Sequence, residues 1–273
     1  MTLVAIKRDG DKVSFSSDSR IIFGDAGHMD KGIKLFAVPF RIKEPASKKE
    51  DFDKWVYQSQ FGIAVVGSSI NAYSVKDAIS EVLNNITAIT NMSDVSIPSI
   101  GAMILKVYKE VSEDLAPILN KNGLCEIIFG GYCLGQKRIR ILRFFPTIES
   151  DKISYNFEEI LPDDGTLFFG SGSKYGAQIH NSEKELTPLQ IIKKVISSEC
   201  DKAVGGALQH GSFNGETFKI SGVIERQLDK EGKIIKEIKY RRGFVVENEK
   251  EEAMKPPYLF IAYGYQIVEF SHD

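Results

Sequence analysis

The first eighteen residues alternate between apolar and polar positions in two short runs. Apolar side chains recur at every second position of each run, at Val4, Ile6, Val13 and Phe15. A period of two is typical of half-buried strands. The Asp9-Gly10 pair between the runs is a strong short-range hairpin signal. We therefore predict an antiparallel hairpin at the start of the chain.

The hairpin determines which polar groups meet at its open end. In an antiparallel pair that turns at Asp9-Gly10, the numbers of facing residues sum to about twenty. Thr2 then lies beside Ser17 or Asp18. A hydroxyl group and a carboxylate are thus predicted to be neighbours.

A helical period dominates three later segments. In residues 73–92 apolar side chains recur every three or four positions, at Val75, Ile79, Val82, Leu83, Ile86 and Ile89. A second helix is predicted from about Pro98 to Leu115, where the proline suits the first turn. A third begins at Thr187, because Thr187 and Gln190 have the spacing of a capping box. These helices are predicted to pack on a sheet.

Short apolar runs between and after the helices predict further strands. They are Phe61–Gly67, Cys125–Phe129, Arg138–Phe145, Leu167–Phe169 and the segments flanking Asp229–Gly232, with a last strand at Pro257–Tyr263. Turns are predicted at Gly135–Lys137, at Asp229–Gly232 and at Asp163–Gly165, where one more hairpin is expected. Residues 41–54 are rich in charge and predict an exposed loop or insertion.

Composition narrows the class of protein. The chain has 273 residues, 42% of them hydrophobic and 26% charged, as in ordinary globular proteins. The net charge of −2 gives no case for nucleic acid or an anionic membrane. No apolar run approaches the ~18 residues that span a bilayer, and Lys7 and Arg8 interrupt any signal-peptide pattern. Three cysteines without metal-like spacing favour a reducing cytoplasm.

Several chemistries are poorly supported by the motifs. The four histidines are scattered without the paired spacing of a zinc site, so we expect no metal and no cofactor. Gly130 and Gly135 have phosphate-loop spacing, but Gln136 replaces the lysine that must reach the phosphates. There is no Gly-x-Ser-x-Gly nucleophile elbow.

Thr2 offers a different chemistry. If Met1 is removed, Thr2 carries both a hydroxyl nucleophile and a free α-amine, which titrates near 7.7–8.0 and can accept a proton. A cation such as Lys34, which follows in a short predicted strand, would keep that amine deprotonated. Asp18 could pair with Lys34 and orient it. Taken singly, each of these three residues is most often a surface group.

The stretch that contains Thr2, Asp18, Arg20 and Lys34 resembles the start of a proteasome β subunit, and also the bacterial proteasome-like peptidase that works with an unfoldase ATPase. Both belong to the N-terminal nucleophile hydrolases. The spacing from threonine to aspartate to lysine matches without a gap. The resemblance implies a four-layer αββα sandwich of the α+β class, with Thr2 as nucleophile and Asp18 and Lys34 as its supports.

Three more site residues are implied by the resemblance. Gly67 matches the glycine whose backbone N–H helps to bind the oxyanion, although a turn glycine is an equal alternative. Ser171, in Gly-Ser-Gly, matches a serine that hydrogen-bonds the terminal amine, although a helix-capping serine is more common. Asp201 matches a second support of the amine. Val204 stands where the family has serine, which is a departure from its pattern.

The resemblance also implies a function and partners. We predict a cytoplasmic threonine peptidase that hydrolyses peptides or unfolded proteins, forms a homo-oligomeric ring and can work with an ATPase partner. Two alternatives stay open: a non-catalytic assembly or interaction protein that keeps Met1, and an amidase acting on a small amide. The predicted domain is 1–210 with an insertion near 41–60, and 211–273 form a strand-rich extension packed on it.

Overall fold

The computed structural model describes residues 2–43, 55–87, 94–150, 152–245 and 266–272. Within these ranges the chain forms sixteen strands and four α-helices. The strands are β1 (Val4–Asp9), β2 (Lys12–Ser17), β3 (Ile21–Ile22), β4 (His28–Met29), β5 (Leu35–Lys43), β6 (Trp55–Gly67), β7 (Ile86–Thr87), β8 (Cys125–Cys133), β9 (Arg138–Glu149), β10 (Lys152–Ile160), β11 (Gly165–Phe169), β12 (Gln209–Asn214), β13 (Thr217–Leu228), β14 (Ile234–Arg241), β15 (Phe244–Val245) and β16 (Gln266–His272). The helices are α1 (Ser69–Leu83), α2 (Ile97–Leu119), α3 (Ser173–Ser182) and α4 (Pro188–Ser198).

Two large sheets organise the described chain. The eight-stranded sheet has the order β11-β1-β2-β12-β13-β14-β15, and β16 runs parallel to β13. The six-stranded sheet has the order β10-β9-β8-β6-β5-β7, and β3 pairs with β4 in a small third sheet. Strands β1 and β2 therefore lie inside the larger sheet, between its edge strand β11 and β12.

The two large sheets bury their apolar faces against each other. Phe15 of β2 and Phe218 of β13 contact with ring centroids 5.2 Å apart, within a cluster that also contains residues of β6, β8 and β9. A Cβ at Gly130 of β8 would lie 2.8 Å from the Phe15 ring, so this close approach needs a glycine. Helices α1 and α2 pack on the six-stranded sheet, and α3 and α4 pack on the larger one.

The expected fold class, a four-layer αββα sandwich, is wrong. The described part of the chain is mainly β, with 47% of its residues in strands and 28% in helices, arranged as several sheets and a half-barrel. The physical reason lies in strand length, since β6, β9 and β13 run for 12 or 13 residues each and β14, β15 and β16 lengthen one sheet beyond the core. The order of predicted helices and strands along the sequence does not indicate how long the strands are, and strand length was decisive here.

Most individual elements follow the sequence pattern, with shifted ends. Helix α1 ends at Leu83 because Asn84 caps it, and Ile86, predicted as helical, lies in β7. Helix α2 extends past the predicted Leu115 to Leu119. Both capping-box hydrogen bonds are present at Thr187, which confirms that start signal.

The predicted turns, the predicted insertion and the predicted domain boundary have mixed outcomes. The turns near Gly135 and Asp229 are confirmed, but β10 pairs with β9 whereas β11 pairs with β1, so residues 161–164 cross between the sheets and no hairpin forms there. Residues 41–43 and 55–60 belong to β5 and β6, and 44–54 and the predicted strand at 257–263 lie outside the described residues. The predicted domain boundary at 210 falls inside β12, and the division stays a prediction.

Candidate active site

The first hairpin fixes the position of Asp18. Its two-residue loop is Gly10–Asp11, with Gly10 at φ +57°, and Val4 faces Ser17. Asp18 then follows the last residue of β2, and its Oδ1 accepts a hydrogen bond from the Leu3 N–H at 2.9 Å. The carboxylate therefore lies beside the backbone that follows Thr2, one register position from the expected pairing.

Asp18 is fully buried and accepts four hydrogen bonds. The donors are the N–H groups of Leu3, Arg20 and Gly205 and the Lys34 ammonium, at 2.9, 3.1, 3.0 and 2.7 Å. A buried carboxylate is costly unless it is paired and hydrogen-bonded. Each oxygen of Asp18 has two donors, so the geometry of the group is fully determined.

Lys34 is the cation of this site and is itself buried, with 3% of its surface exposed. Burial lowers the pKa of its ammonium, and the adjacent Asp18 carboxylate partly opposes that shift. Lys34 and Thr2 line the same pocket. A positive charge beside Thr2 favours the deprotonated form of a nearby amine or hydroxyl.

A loop after β11 wraps around Thr2. The Thr2 N–H donates to Ser171 Oγ at 3.3 Å, and the Gly172 N–H donates to the Thr2 carbonyl at 3.2 Å. Gly170 has φ +92°, and a Cβ there would lie 2.2 Å from the Thr2 carbonyl oxygen. The Gly-Ser-Gly sequence is thus needed for close backbone approach as well as for the serine hydroxyl.

A small pocket with a cavity volume of about 30 Å³ adjoins Thr2 and opens to solvent. It is lined by Thr2, Ile21, Ile22, Lys34, Val65, Gly67, Ser69 and Tyr73. Gly67 ends β6 with φ +91°, and a Cβ there would lie 2.7 Å from the Leu124 carbonyl. Ser69 is the first residue of α1, so the positive end of that helix dipole points toward the pocket wall.

The structure thus brings five of the six predicted site residues together. Thr2, Asp18, Lys34 and Ser171 are joined through hydrogen bonds along one strand end, and Gly67 lines the same pocket.

Asp201 is placed differently. Its carboxylate accepts a hydrogen bond from the Ala203 N–H at 2.9 Å, and its carbonyl accepts one from the Val204 N–H. These bonds close the turn that presents the Gly205 N–H to Asp18. Asp201 therefore connects to the site through the backbone of that turn.

Sequence reasoning missed three residues that shape the site. They are Gly170 at the Thr2 carbonyl, Gly205 at Asp18, and the buried Gln209, whose side chain bonds both the Asp18 and the Lys34 segments. The glycines stood in recognisable Gly-Ser-Gly and Gly-Gly turns. No local signal marks Gln209, because its partners are distant in sequence.

A second hydroxyl lies beside a possible base. His210 Nδ1 is 2.9 Å from Ser16 Oγ, and burial lowers the pKa of the imidazole to about 4, so the ring is neutral near pH 7. Ser16 is fully buried and His210 nearly so. A substrate has no access to this pair, which therefore stabilises the sheet rather than forming a reactive centre.

The described ranges contain neither a cluster of metal ligands nor a membrane-spanning helix. No group of three His, Cys, Asp or Glu side chains there could hold a metal ion. No helix in that part of the chain is long and apolar enough to cross a membrane.

Solved structures of Anbu proteins share the fold. The helical assembly of the Anbu complex from Pseudomonas aeruginosa matches with a TM-score of 0.54 at 18% identity, covering 80% of this chain and 85% of that one. Anbu (ancestral beta-subunit) from Yersinia bercovieri matches with a TM-score of 0.54 at 17% identity, covering 80% and 86%. A Gly-1 mutant of Anbu from Hyphomicrobium sp. strain MC1 matches with a TM-score of 0.53 at 18% identity, covering 81% of this chain and 85% of that one. No protein-family model and no curated protein matches the chain.

These findings overturn the family assignment made from the sequence. The chain was expected to resemble a proteasome β subunit or the bacterial proteasome-like peptidase, whereas the structures above are Anbu proteins, and at this identity they show the fold alone. The reason is that the Thr2–Asp18–Lys34 spacing depends only on one hairpin and the strand that follows it. Such a local pattern does not distinguish among proteins that share that hairpin.

Proposed function

We propose that this protein hydrolyses peptide bonds with Thr2 as the nucleophile, after Met1 is removed. The observation that carries the proposal is that Thr2 and Lys34 line one pocket, while buried Asp18 bonds the Lys34 ammonium and Ser171 Oγ bonds the Thr2 nitrogen. The Anbu structures support it only through their shared fold, and the Yersinia bercovieri protein is described as an ancestral beta-subunit.

The proposed first step is attack of Thr2 Oγ on the substrate carbonyl carbon. The hydroxyl proton passes to the α-amine of Thr2, a C–O bond forms, and the scissile C–N bond then breaks as the amine returns the proton to the leaving nitrogen. Water then attacks the resulting ester, with the amine again as base, and releases the carboxylic acid. Lys34 and Ser171 hold the amine and hydroxyl in their reactive protonation states.

Stabilisation of the oxyanion is assigned to the backbone at Gly67 and the start of α1. Both lie in the wall of the pocket that contains Thr2. Backbone N–H groups and a helix N-terminus favour negative charge that develops on a carbonyl oxygen. Asp18 and Asp201 act less directly, Asp18 by fixing Lys34 and Asp201 by shaping the turn at Gly205.

The pocket is lined partly by apolar groups and partly by polar ones. Ile21, Ile22, Val65 and the Tyr73 ring form its apolar part, and Tyr73 donates its hydroxyl proton to the Ile33 carbonyl. Because Lys34 is the one cation among the described residues of the lining and is paired with Asp18, we expect an uncharged substrate side chain beside the scissile bond. The helical assembly described for the Pseudomonas aeruginosa Anbu complex makes self-association of this chain part of the proposal.

The first experiment is intact-mass measurement combined with labelling of Thr2. The purified full chain should lose the mass of Met1, and a peptide electrophile with an apolar side chain should then add to Thr2, as located by peptide mass spectrometry. Fluorogenic peptides with leucine before the scissile bond should be cleaved. Thr2→Ala should abolish both signals, by at least about 10³-fold in turnover, while Thr2→Ser retains labelling.

A processed, folded protein that neither labels nor cleaves peptides would contradict the proposal and favour a non-catalytic assembly protein. Labelling of Thr2 with cleavage of small amides alone would favour the amidase alternative. Retention of Met1 leaves the Thr2 nitrogen as an amide, which cannot act as the base, and would also contradict the proposal for that form of the protein.

A further inference from the structure

We propose that Gln209 is a positioning residue that sets the distance between Asp18 and Lys34. A role for Gln209 in catalysis rests on the proposed function, but its effect on the Asp18–Lys34 pair can be tested without measuring activity. Gln209 is the first residue of β12 and faces Ser17 of β2. It is 1% exposed, so its amide has been removed from water almost completely.

The Gln209 amide bonds both segments that carry the buried ion pair. Its Nε2 donates to the Asp18 carbonyl at 3.2 Å and to the Gly32 carbonyl at 2.9 Å. Its Oε1 accepts from the Lys34 N–H at 3.0 Å and from the Leu35 N–H at 3.4 Å. Because two partners are carbonyls and two are N–H groups, the orientation of the amide is determined by its surroundings.

These four bonds connect segments that are not strand neighbours. Asp18 immediately follows β2 of the eight-stranded sheet, whereas Lys34 immediately precedes β5 of the six-stranded sheet. The ion pair itself is one contact of 2.7 Å between long or flexible side chains. One backbone bond, from the Gly32 N–H to the Ser19 carbonyl at 2.8 Å, also joins the two segments. The Gln209 amide adds a buried side-chain connection closer to the ion pair, at Asp18 itself and at the Lys34 N–H.

The consequence is control of the charge at Thr2. The charges of Asp18, Arg20 and Asp30 all act on the Lys34 ammonium, and Asp18 contributes most to favouring its charged form. If the two backbones drift apart, Lys34 stays buried but loses part of that support. Catalytic groups misplaced by about an ångström can cost about 100-fold in rate.

The test is titration of Lys34 in Gln209→Met, which keeps side-chain length and removes the amide. Carbon-13 labelling of lysine Cε with NMR detection gives the pKa, and the Lys34 signal is assigned through Lys34→Arg. We expect the pKa of Lys34 to fall by at least about half a unit relative to wild type. Tyr240→Phe is the matched control, because it removes one buried hydrogen bond, to Glu225, away from the site residues.

Gln209→Asn is measured in parallel in case the methionine variant does not fold. Its shortened amide cannot span both segments, and the same fall in the Lys34 pKa is expected. An unchanged or raised Lys34 pKa in a folded Gln209 variant overturns the proposal, since Asp18 would then hold the ammonium equally well without the amide. A fall of equal size in the Lys34 pKa of Tyr240→Phe would also overturn it, because the shift would then follow from a general loss of stability.

Peptide hydrolysis separates this inference from the proposed function. In an active enzyme, Gln209→Asn should lower kcat about tenfold or more and leave KM within about twofold. If the wild-type protein shows no hydrolysis, the proposed function fails, and the Lys34 titration still decides whether Gln209 positions the ion pair.

Discussion

Two buried carboxylates in this protein are held in different ways. Asp18 takes three of its four hydrogen bonds from backbone N–H groups. Glu225 of β13, 3% exposed, bonds three side chains instead, and they are Lys193 of α4, Tyr240 of β14 and His272 of β16. Backbone donors are fixed by the strands and turns that carry them, whereas each side-chain donor must give up rotamer freedom to bind.

The difference indicates two roles. The Asp18 site has a rigid frame and opens toward a pocket and a hydroxyl, which is the arrangement that chemistry requires. The Glu225 cluster joins a helix and two strands around one charge and has its lysine 23% exposed. We infer that Asp18 holds the groups around Thr2 in position and that Glu225 stabilises the packing of β16, the last described strand, on the rest of the sheet.

The largest expected effect comes from breaking the Asp18 ion pair. Lys34→Met leaves Asp18 buried without its cation, and removing one partner of such a pair costs about 3–5 kcal/mol. Peptide hydrolysis should fall by about 10³-fold, because the charge beside Thr2 is lost. Urea unfolding and kcat measure the two effects.

Lys193→Met is the matched control on the Glu225 side. Its ammonium is partly exposed, so its loss should cost no more than about 1 kcal/mol and leave hydrolysis unchanged. Asp18→Asn combined with Lys34→Met should recover part of the stability and none of the activity. Equal losses of unfolding free energy in Lys34→Met and Lys193→Met would show that the two buried carboxylates depend on their lysines to the same extent.

The second effect tests the rigid backbone around Thr2. Gly170→Ala places a Cβ against the Thr2 carbonyl at a φ of +92°, so we expect a loss of about 2 kcal/mol and a fall in kcat of at least about tenfold. Gly215→Ala in the β12–β13 turn is the control, since φ is +59° there and the space is open. It should cost about 1–2 kcal/mol, from backbone strain alone, and leave kcat unchanged. Similar kinetics in the two variants would show that the loop does not position Thr2.

The third effect is a pH dependence confined to the Glu225 cluster. Burial would raise the pKa of Glu225, but hydrogen bonds from Lys193, Tyr240 and His272 lower it below its usual 4.5. A carboxyl with a lowered folded pKa contributes stability above its unfolded pKa, and that contribution is lost as pH falls through the folded value. Urea unfolding from about pH 6 to about pH 3 should therefore show a smaller acid loss in Glu225→Gln than in wild type. Identical slopes would mean that the cluster does not contribute.

The smallest effect is expected at Asp201. Asparagine keeps the oxygen that accepts from the Ala203 N–H, so Asp201→Asn should change kcat by less than about threefold, and Ser171→Ala should lower it more. Parallel kinetics on folded variants check the order. A larger loss in Asp201→Asn would show that its charge acts on Thr2 directly, as the sequence pattern predicts.

The sequence alone determined the local elements that build the site. Alternation at Val4 and Ile6 with the glycine turn predicted the first hairpin, and that hairpin brings Asp18 to the backbone beside Thr2. Capping and periodicity predicted α1, α2 and α4. Such features depend on residues a few positions apart, and their signals are therefore present in a short window of sequence.

Tertiary structure decided what connects those elements. Gln209 and Gly205 reach Asp18 across almost two hundred residues, and no pattern near them indicates the partner. The predicted sandwich was wrong because strand extension and the parallel pairing of β16 with β13 are settled by contacts between distant segments. Side-chain period fixes which face of a strand is buried, but it leaves open which strand lies beside it, because that choice depends on the free energy of the assembled sheet.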